Sequence, residues 1–315
     1  MEYTHKPVLL DECIQALNIR PDGVYVDGTL GRAGHSREIA KRLTSGRLIC
    51  IDRDMAAIEA AQTRLADWMD RVTLIHSNFS ELEGVLAAAG VTGVDGMLFD
   101  LGVSSPQLDD ASRGFSYMQD APLDMRMDVS APLTAYEVVN GWSFEELRRI
   151  LQEYGEERYA SSIARAILRT RETAPIETTL ELVYIIKSAM PPAALREKQH
   201  PAKRSFQAIR IAVNGELEAL PPMLEGAVKM LNPGGRLAVI TFHSLEDRIV
   251  KTTMKKLAQG CTCPSSFPVC VCGNKPKIRL VSRKPIVSGE AELRENPRAR
   301  SAKLRVAEKC DPFDL

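Results

Sequence analysis

Residues able to do chemistry on a weakly basic nitrogen crowd one short stretch of the chain, Asp100-Leu-Gly-Val-Ser-Ser-Pro-Gln107. A carboxylate, hydroxyls, a proline and an amide follow directly on the apolar run Val94-Asp-Gly-Met-Leu-Phe99. That run predicts a buried strand, and in open α/β sheets ligands bind in the crevice beyond the strands' carboxyl ends. An exocyclic amine needs acceptors and tight positioning there more than it needs a strong base. Asp100 with nearby carbonyls would draw on the amine protons as charge develops, while Ser104, Ser105 and Gln107 would hold the edge of a base. The Ser-Ser-Pro triplet equally suits a plain turn.

A second cluster, Asp27-Gly-Thr-Leu-Gly-Arg-Ala-Gly-His-Ser36, follows a predicted strand and opens a predicted helix. Gly28, Gly31 and Gly34 permit a tight turn and close backbone approach to a ligand, and a helix N-terminus offers free N–H groups. The spacing departs from G-x-G-x-x-G, which disfavours a nicotinamide dinucleotide and a dehydrogenase; no G-K-[ST] follows, which removes a P-loop. Asp52 ends the next strand about 20 residues beyond the glycines, where a carboxylate accepts from ribose hydroxyls. It is equally placed to cap the helix from Met55, although Asp54 is the better cap. Phe79, after the third strand, offers a ring for adenine or a side chain for the core. With Pro233-Gly-Gly235 ahead of the fifth strand, the set favours S-adenosylmethionine over a dinucleotide. Methyl transfer to an amine is an in-line displacement, and holding the nitrogen against the sulfonium methyl supplies about 7–11 kcal/mol.

Alternating elements must position these residues. Segments 8–17, 35–43, 55–68 and 80–89 read as helices, and Val24–Asp27, Arg47–Asp52, Val72–His76 and Val94–Asp100 as strands. The alternation predicts βαβ units and a parallel sheet. A polar stretch rich in Asp, Gly and Pro follows Gln107, and residues 134–218 read as almost wholly helical, with helices at 144–153, 158–171, 179–189 and 206–220. Strand sequence resumes at 237–242, and 278–282 with 303–307 suit a closing antiparallel pair. The expected fold class is α/β, a Rossmann-like methyltransferase sheet with an inserted all-helical domain. Residues 1–108 and 209–315 would form the sheet domain and 109–208 the insertion.

At 315 residues the chain suits about two domains. Its formal charge of zero weighs against a broad phosphate-binding surface while allowing local patches. The start lacks the basic-then-apolar layout of a signal peptide, and no apolar run approaches the roughly 20 residues that span a bilayer. Seven cysteines, an odd number, fit a reducing cytoplasm better than a disulfide framework. The reading is a cytoplasmic protein.

Several ordered segments carry a more specific likeness: His5-Lys-Pro-Val-Leu-Leu10, Asp27 to Ser36, Asp100-Leu-Gly-Val-Ser-Ser-Pro-Gln-Leu-Asp109 and Arg113-Gly-Phe-Ser-Tyr-Met118. Further along come Leu123-Asp-Met-Arg-Met-Asp128, Phe206-Gln-Ala-Ile-Arg-Ile-Ala-Val-Asn214, Phe242-His-Ser-Leu-Glu-Asp-Arg248 and Glu295-Asn-Pro-Arg-Ala-Arg-Ser301. In these the chain resembles the bacterial 16S ribosomal RNA cytosine-N4 methyltransferase family, the RsmH or MraW group. The resemblance implies N4-methylation of a cytidine at the decoding centre of small-subunit rRNA, with S-adenosyl-L-methionine as donor. It implies cofactor contacts at Ala33, Gly34, His35, Asp52, Phe79, Asp100 and Gln107, and catalytic positions at Asp100, Ser104, Ser105 and Pro106. Position 33 is alanine where the family usually has glycine; a backbone contact there survives the methyl group if φ is negative. The implied partner is small-subunit ribosomal RNA or the assembling 30S particle, with no membrane, and a homodimer is admitted. The rival readings are a DNA amino-methyltransferase (cytosine N4 or adenine N6) and a non-catalytic ribosome-assembly factor that binds RNA.

Three other groups compete for roles. Cys261-Thr-Cys263 and Cys270-Val-Cys272 are open between a closed structural zinc site and reduced, solvent-facing thiols; no catalytic metal is expected. His243 and Ser244, with Glu246 and Asp247, resemble a hydrolase triad but lack a G-x-S-x-G elbow, and by the family likeness their loop borders the target base. Lys275, Lys277, Arg279, Arg283, Lys284, Arg294, Arg298, Arg300, Lys303 and Arg305 crowd the C-terminal segment and suit an RNA path. Aromatic residues are 5% of the chain, too few to mark a stacking platform, although Phe115, Tyr117 and Trp142 could serve as one.

Overall fold

A computed structural model describes residues 7–264 and 267–311; His5 and Lys6 of the first matching segment, and the N-terminal residues read for a targeting signal, lie outside them. The chain divides into two compact units, Met1–Gly102 with Leu217–Leu315, and Val103–Glu216. The insertion thus begins before residue 109 and ends after 208. Its end is set by the helix Lys203–Asn214, whose Ile209 and Val213 belong to the second unit's core, so a cut at 208 would split one element.

The first unit is built on seven strands, β1 (Val24–Asp27), β2 (Arg47–Asp52), β3 (Val72–His76), β4 (Val94–Asp100), β5 (Leu231–Thr241), β6 (Ile278–Leu280) and β7 (Lys303–Lys309). Their order is β3-β2-β1-β4-β5-β7-β6, with β7 antiparallel to both its neighbours and every other pairing parallel. This is a Rossmann-like methyltransferase sheet. The chain steps outward from β1 to β3 and then returns to lay β4 on the other side of β1. Strand order therefore reverses between β1 and β4, and such a switch point opens a crevice beyond the strand ends.

The strands read as unbroken apolar runs because both faces are covered. Side chains alternate between two cores: Tyr25, Leu48, Cys50, Leu98 and Ile240 join one, and Val26, Ile49, Ile51, Met97, Phe99 and Val239 the other. Two helices of this unit were not foreseen as such. The expected 206–220 helix ends at Asn214, where Gly215 turns the chain at φ 58°, and a new helix runs Leu220–Met230. The other, Ser244–Leu257, follows β5.

The second unit is all helical, with Ala135–Gly141, Phe144–Glu153, Ala160–Arg171, Thr179–Ser188 and Lys203–Asn214 around one core. Ser143 starts Phe144–Glu153: its Oγ accepts from Glu146 N at 3.3 Å, and Glu146 Oε2 accepts from Ser143 N at 2.8 Å, an arrangement repeated at Thr134 and Thr178. Such reciprocal capping satisfies two otherwise orphaned amides. The Leu123-to-Asp128 segment is stapled by Asn214, whose Oδ1 accepts from Met127 N and whose Nδ2 donates to Met125 O, both at 2.8 Å. Among the described residues no helix is long and apolar enough to cross a membrane.

Candidate active site

β1 and β4 end side by side, and each closes on an aspartate. Asp27, 1% exposed, accepts from Ser36 Oγ at 2.6 Å and from Thr29 N at 3.1 Å. Burial pushes its carboxyl above the usual carboxylate range. Thr29 Oγ1 in turn accepts from Asp100 N at 2.6 Å, and Gly28 N donates to Leu98 O at 2.9 Å, so the loop after β1 is sewn to β4.

Asp100 closes β4 with one of its carboxylate oxygens orphaned. Its Oδ1 is buried with no hydrogen-bond partner among the described residues, and its Oδ2 lies 3.9 Å from His35 Nδ1. Burial above all, then the charges of Asp27 and Glu246, raise its carboxyl to about 8. His35 is driven the other way, down to about 4, chiefly by burial. Its Nε2 faces Val8 O at 3.1 Å; a carbonyl only accepts, so Nε2 carries the proton and Nδ1 presents a lone pair toward Asp100. Both shifts favour the uncharged forms, imidazole beside carboxyl.

Asp52 and Asp54 divide the two roles that one acid was offered. Asp54 caps the helix Met55–Arg64, its side chain accepting from Ala56 N at 3.1 Å. Asp52 anchors the glycine loop, with Oδ2 accepting from Gly31 N at 2.7 Å and Oδ1 from Asp54 N at 2.8 Å. Burial raises it to about 6 despite those donors. A carboxylate has about four acceptor sites, so capacity remains for further hydroxyl donors.

The loop itself corrects one expectation. Ala33 does not have negative φ; it sits at φ 58°, ψ 23°. A left-handed alanine costs about 1–2 kcal/mol, offset in part by burial of its methyl group in the core. The glycines beside it serve packing: a Cβ on Gly28 would lie 2.1 Å from the Phe99 ring, and one on Gly34 2.3 Å from Pro7. Phe79 meets Phe99 edge-on, with centroids 6.0 Å apart and planes at 79°.

Ser104, Ser105, Pro106 and Gln107 belong to the second unit, where they form the start of the helix Ser105–Asp109 rather than a plain turn. Gln107 is 5% exposed, and its Oε1 accepts from Ser104 N at 2.9 Å. Asp27 and Thr29 carried no role of their own in the sequence, and Glu246 was singled out only beside His243, not as a neighbour of Asp100. An acid ending β1 directly before a glycine was the available signal for Asp27; nothing local marks the other two.

Other expected roles are reassigned. His243 is the N-cap of Ser244–Leu257, its Nδ1 accepting from Glu246 N at 3.4 Å, while Glu246 Oε2 accepts from Phe242 N at 2.8 Å. That geometry builds a helix start, not a hydrolase triad. Arg305 and Lys303 grip Asp247 at 2.7 and 3.2 Å, and Arg236 and Arg279 share Glu308. Arg279, Lys303 and Arg305 thus each hold an ion pair at the sheet edge. Phe115 is a core residue, Trp142 packs against the same core, and Tyr117 is stacked on His200 with centroids 4.6 Å apart.

The sequence profile of the MraW methylase family matches residues 2–310. The chain belongs to the MraW methylase family. Among relatives of this family, a protein of Brevibacillus brevis named ribosomal RNA small subunit methyltransferase H is 57% identical over 310 residues, covering 98% of this chain and 99% of that one. Proteins of the same name from a Paenibacillus species and from Clostridioides difficile are 59% identical over 314 residues and 54% over 310. Each covers 98% of this chain, with 99% and 100% of their own lengths matched. Among solved structures, a putative rRNA methylase from Clostridium thermocellum aligns with TM-score 0.46 and 13% identity over 97% of this chain and 99% of that one. Membership of the MraW methylase family sets aside the dehydrogenase and hydrolase readings.

Proposed function

We propose that the protein transfers a methyl group from S-adenosylmethionine to the N4 amine of a cytidine in the decoding centre of small-subunit ribosomal RNA. The observation that carries this reading is Asp100 at the β1/β4 switch point, with Oδ1 buried and unpartnered among the described residues. Family membership supports methyl transfer, and the name shared by relatives at 54–59% identity supports ribosomal RNA as the polymer.

The residues of the first unit fit the donor. Burial above all raises the proton affinity of Asp27, Asp52 and Asp100, and the charge of Asp27 adds to it at the other two, a setting that favours a bound cation. The donor supplies an electrophilic methyl on a sulfonium. Asp52 accepts ribose hydroxyls while keeping the loop fixed through Gly31 N, and Ala33, Gly34 and His35 shape the floor of the site. Phe79 offers its ring to the nucleobase of the donor. Asp100 Oδ1 accepts an N–H of the cytosine amine and turns its lone pair toward the methyl. In this reading Ser104, Ser105 and Pro106 hold the base edge and Gln107 is shared with the cofactor, on the strength of their motif. A cytidine inside a stack is out of reach, so an extruded or locally open strand is required.

The test supplies purified protein with methyl-labelled S-adenosylmethionine and, separately, small-subunit particles, naked small-subunit rRNA and duplex DNA. Label in N4-methylcytidine of the RNA is expected. Label in DNA would move the reading to a DNA amino-methyltransferase. Cofactor binding without transfer to any polymer would leave a non-catalytic assembly factor.

A further inference from the structure

Between the helix Ser244–Leu257 and β6 lies a segment holding Cys261, Cys263, Cys270 and Cys272, whose Sγ atoms all lie within 4.8 Å of one another. We propose that these cysteines form a closed tetrathiolate site for one zinc ion, a structural centre separate from the carboxylate cluster at β1 and β4.

Spacing is the first argument. Zinc–sulfur bonds of about 2.3 Å in a tetrahedron put the sulfurs about 3.8 Å apart. Cys270 and Cys272 are 3.6 Å apart and Cys272 and Cys261 3.8 Å apart. A disulfide would need about 2.05 Å, and all four cysteines are free.

Donors to sulfur are the second. Thr262 N points at Cys272 Sγ at 3.3 Å, Cys263 N at Cys261 Sγ at 3.4 Å, Val271 N at Cys263 Sγ at 3.3 Å, and Asn274 N at Cys272 Sγ at 3.5 Å. Backbone N–H groups aimed at sulfur stabilise thiolate charge and orient the ligands. Two of the four run between the C-x-C pairs, from Thr262 N to Cys272 and from Val271 N to Cys263, so the amides of each pair serve the other's sulfurs.

Exposure of the bulky side chains among the segment's described residues is the third. Phe267, Val269 and Val271, the segment's bulky residues, are 50%, 70% and 73% exposed. Hydrophobic burial therefore does not gather the sulfurs. The segment's ends are clasped instead by Asn274 Nδ2, which donates to Gln259 O at 3.1 Å and Gly260 O at 2.7 Å. Four thiolates on one Zn²⁺ leave a net charge of −2, and Lys255, Lys256, Lys275 and Lys277 flank the segment in sequence. Each thiol that binds releases one proton to solvent, and no oxidant takes part. With every coordination position filled by protein the ion is structural, in keeping with the expectation of no catalytic metal.

The deciding experiment titrates metal-stripped, reduced full-length protein with Co²⁺ and then Zn²⁺. One Co²⁺ per chain should bind with the visible d–d bands of a tetrahedral tetrathiolate and be displaced by one Zn²⁺. Zinc should also slow amide exchange across residues 259–274. A Cys261→Ser, Cys270→Ser double variant should lose both responses while keeping the wild-type circular dichroism and its affinity for S-adenosylmethionine. Octahedral cobalt spectra, no stoichiometric binding, or unchanged binding by the double variant would overturn the proposal. So would a metal-free native protein four hydrogens lighter than its reduced mass.

Discussion

Replacing Asp100 by Asn should stabilise the ligand-free protein in alkaline solution and leave its stability nearly unchanged in acid. The folded-state carboxyl is raised to about 8 from an ordinary 3.8, so between those values the folded chain holds a proton that the unfolded chain has lost. Stability contributed by the neutral acid is complete below about pH 4 and falls as pH rises to about 8. A shift of about four units corresponds to about 5–6 kcal/mol at 1.36 kcal/mol per unit. The side chain is 26% exposed, and solvent reaching it reduces this to about 2–3 kcal/mol. Asparagine keeps the shape and never ionises. Urea unfolding without cofactor, at about pH 3.5 and about pH 9, should therefore show a variant-minus-wild-type difference near zero in acid and about 2–3 kcal/mol in favour of Asn in alkali. Asp52 titrates in both proteins and drops out of the difference, whereas Asp27, whose charge raises Asp100, contributes to it. The same variant should lose at least about 100-fold in methyl transfer, the scale of removing one positioned group at a developing charge. A difference independent of pH, or a variant less stable than wild type at pH 9, would refute the electrostatic argument.

Cofactor binding should release up to one proton per chain near pH 7.5, because a bound cation favours the ionised form of Asp100; calorimetry in buffers of different ionisation heat measures it, and proton uptake would contradict the assignment. Asp247→Ala should cost about 2 kcal/mol in denaturant unfolding, since Arg305, at 12% side-chain exposure, loses its carboxylate. A cost below about 0.5 kcal/mol would mean the pair is solvated like a surface bridge. Gly28→Ala should cost about 1–3 kcal/mol through its clash with the Phe99 ring, and an unchanged unfolding midpoint would show that the ring yields freely.

The sheet was legible because its signals are local. Apolar runs bounded by turn residues marked β1 to β4 at their observed ends, since a strand covered on both faces has no polar alternation to blur it. Helix ends were less legible: Gly215 breaks a continuous apolar pattern through its φ of 58°, which periodicity does not register. In the site, Asp52 and Asp100 were readable as acids closing strands. What sequence could not supply was partnership. The divided labour of Asp52 and Asp54, Thr29 bridging β1 to Asp100, and Arg305 gripping Asp247 across 58 residues are long-range geometry. The left-handed Ala33 contradicts its residue type and was unreadable for that reason.

The central claim is tested most directly by the small-subunit rRNA itself. Nuclease digestion and mass spectrometry of rRNA from cells with and without the protein should show one N4-methylated cytidine, in the decoding centre, lost in its absence. It should return with wild-type protein and not with Asp100→Asn. An rRNA whose N4-methylcytidine content is the same in both cells, or is restored by the variant, would contradict the account.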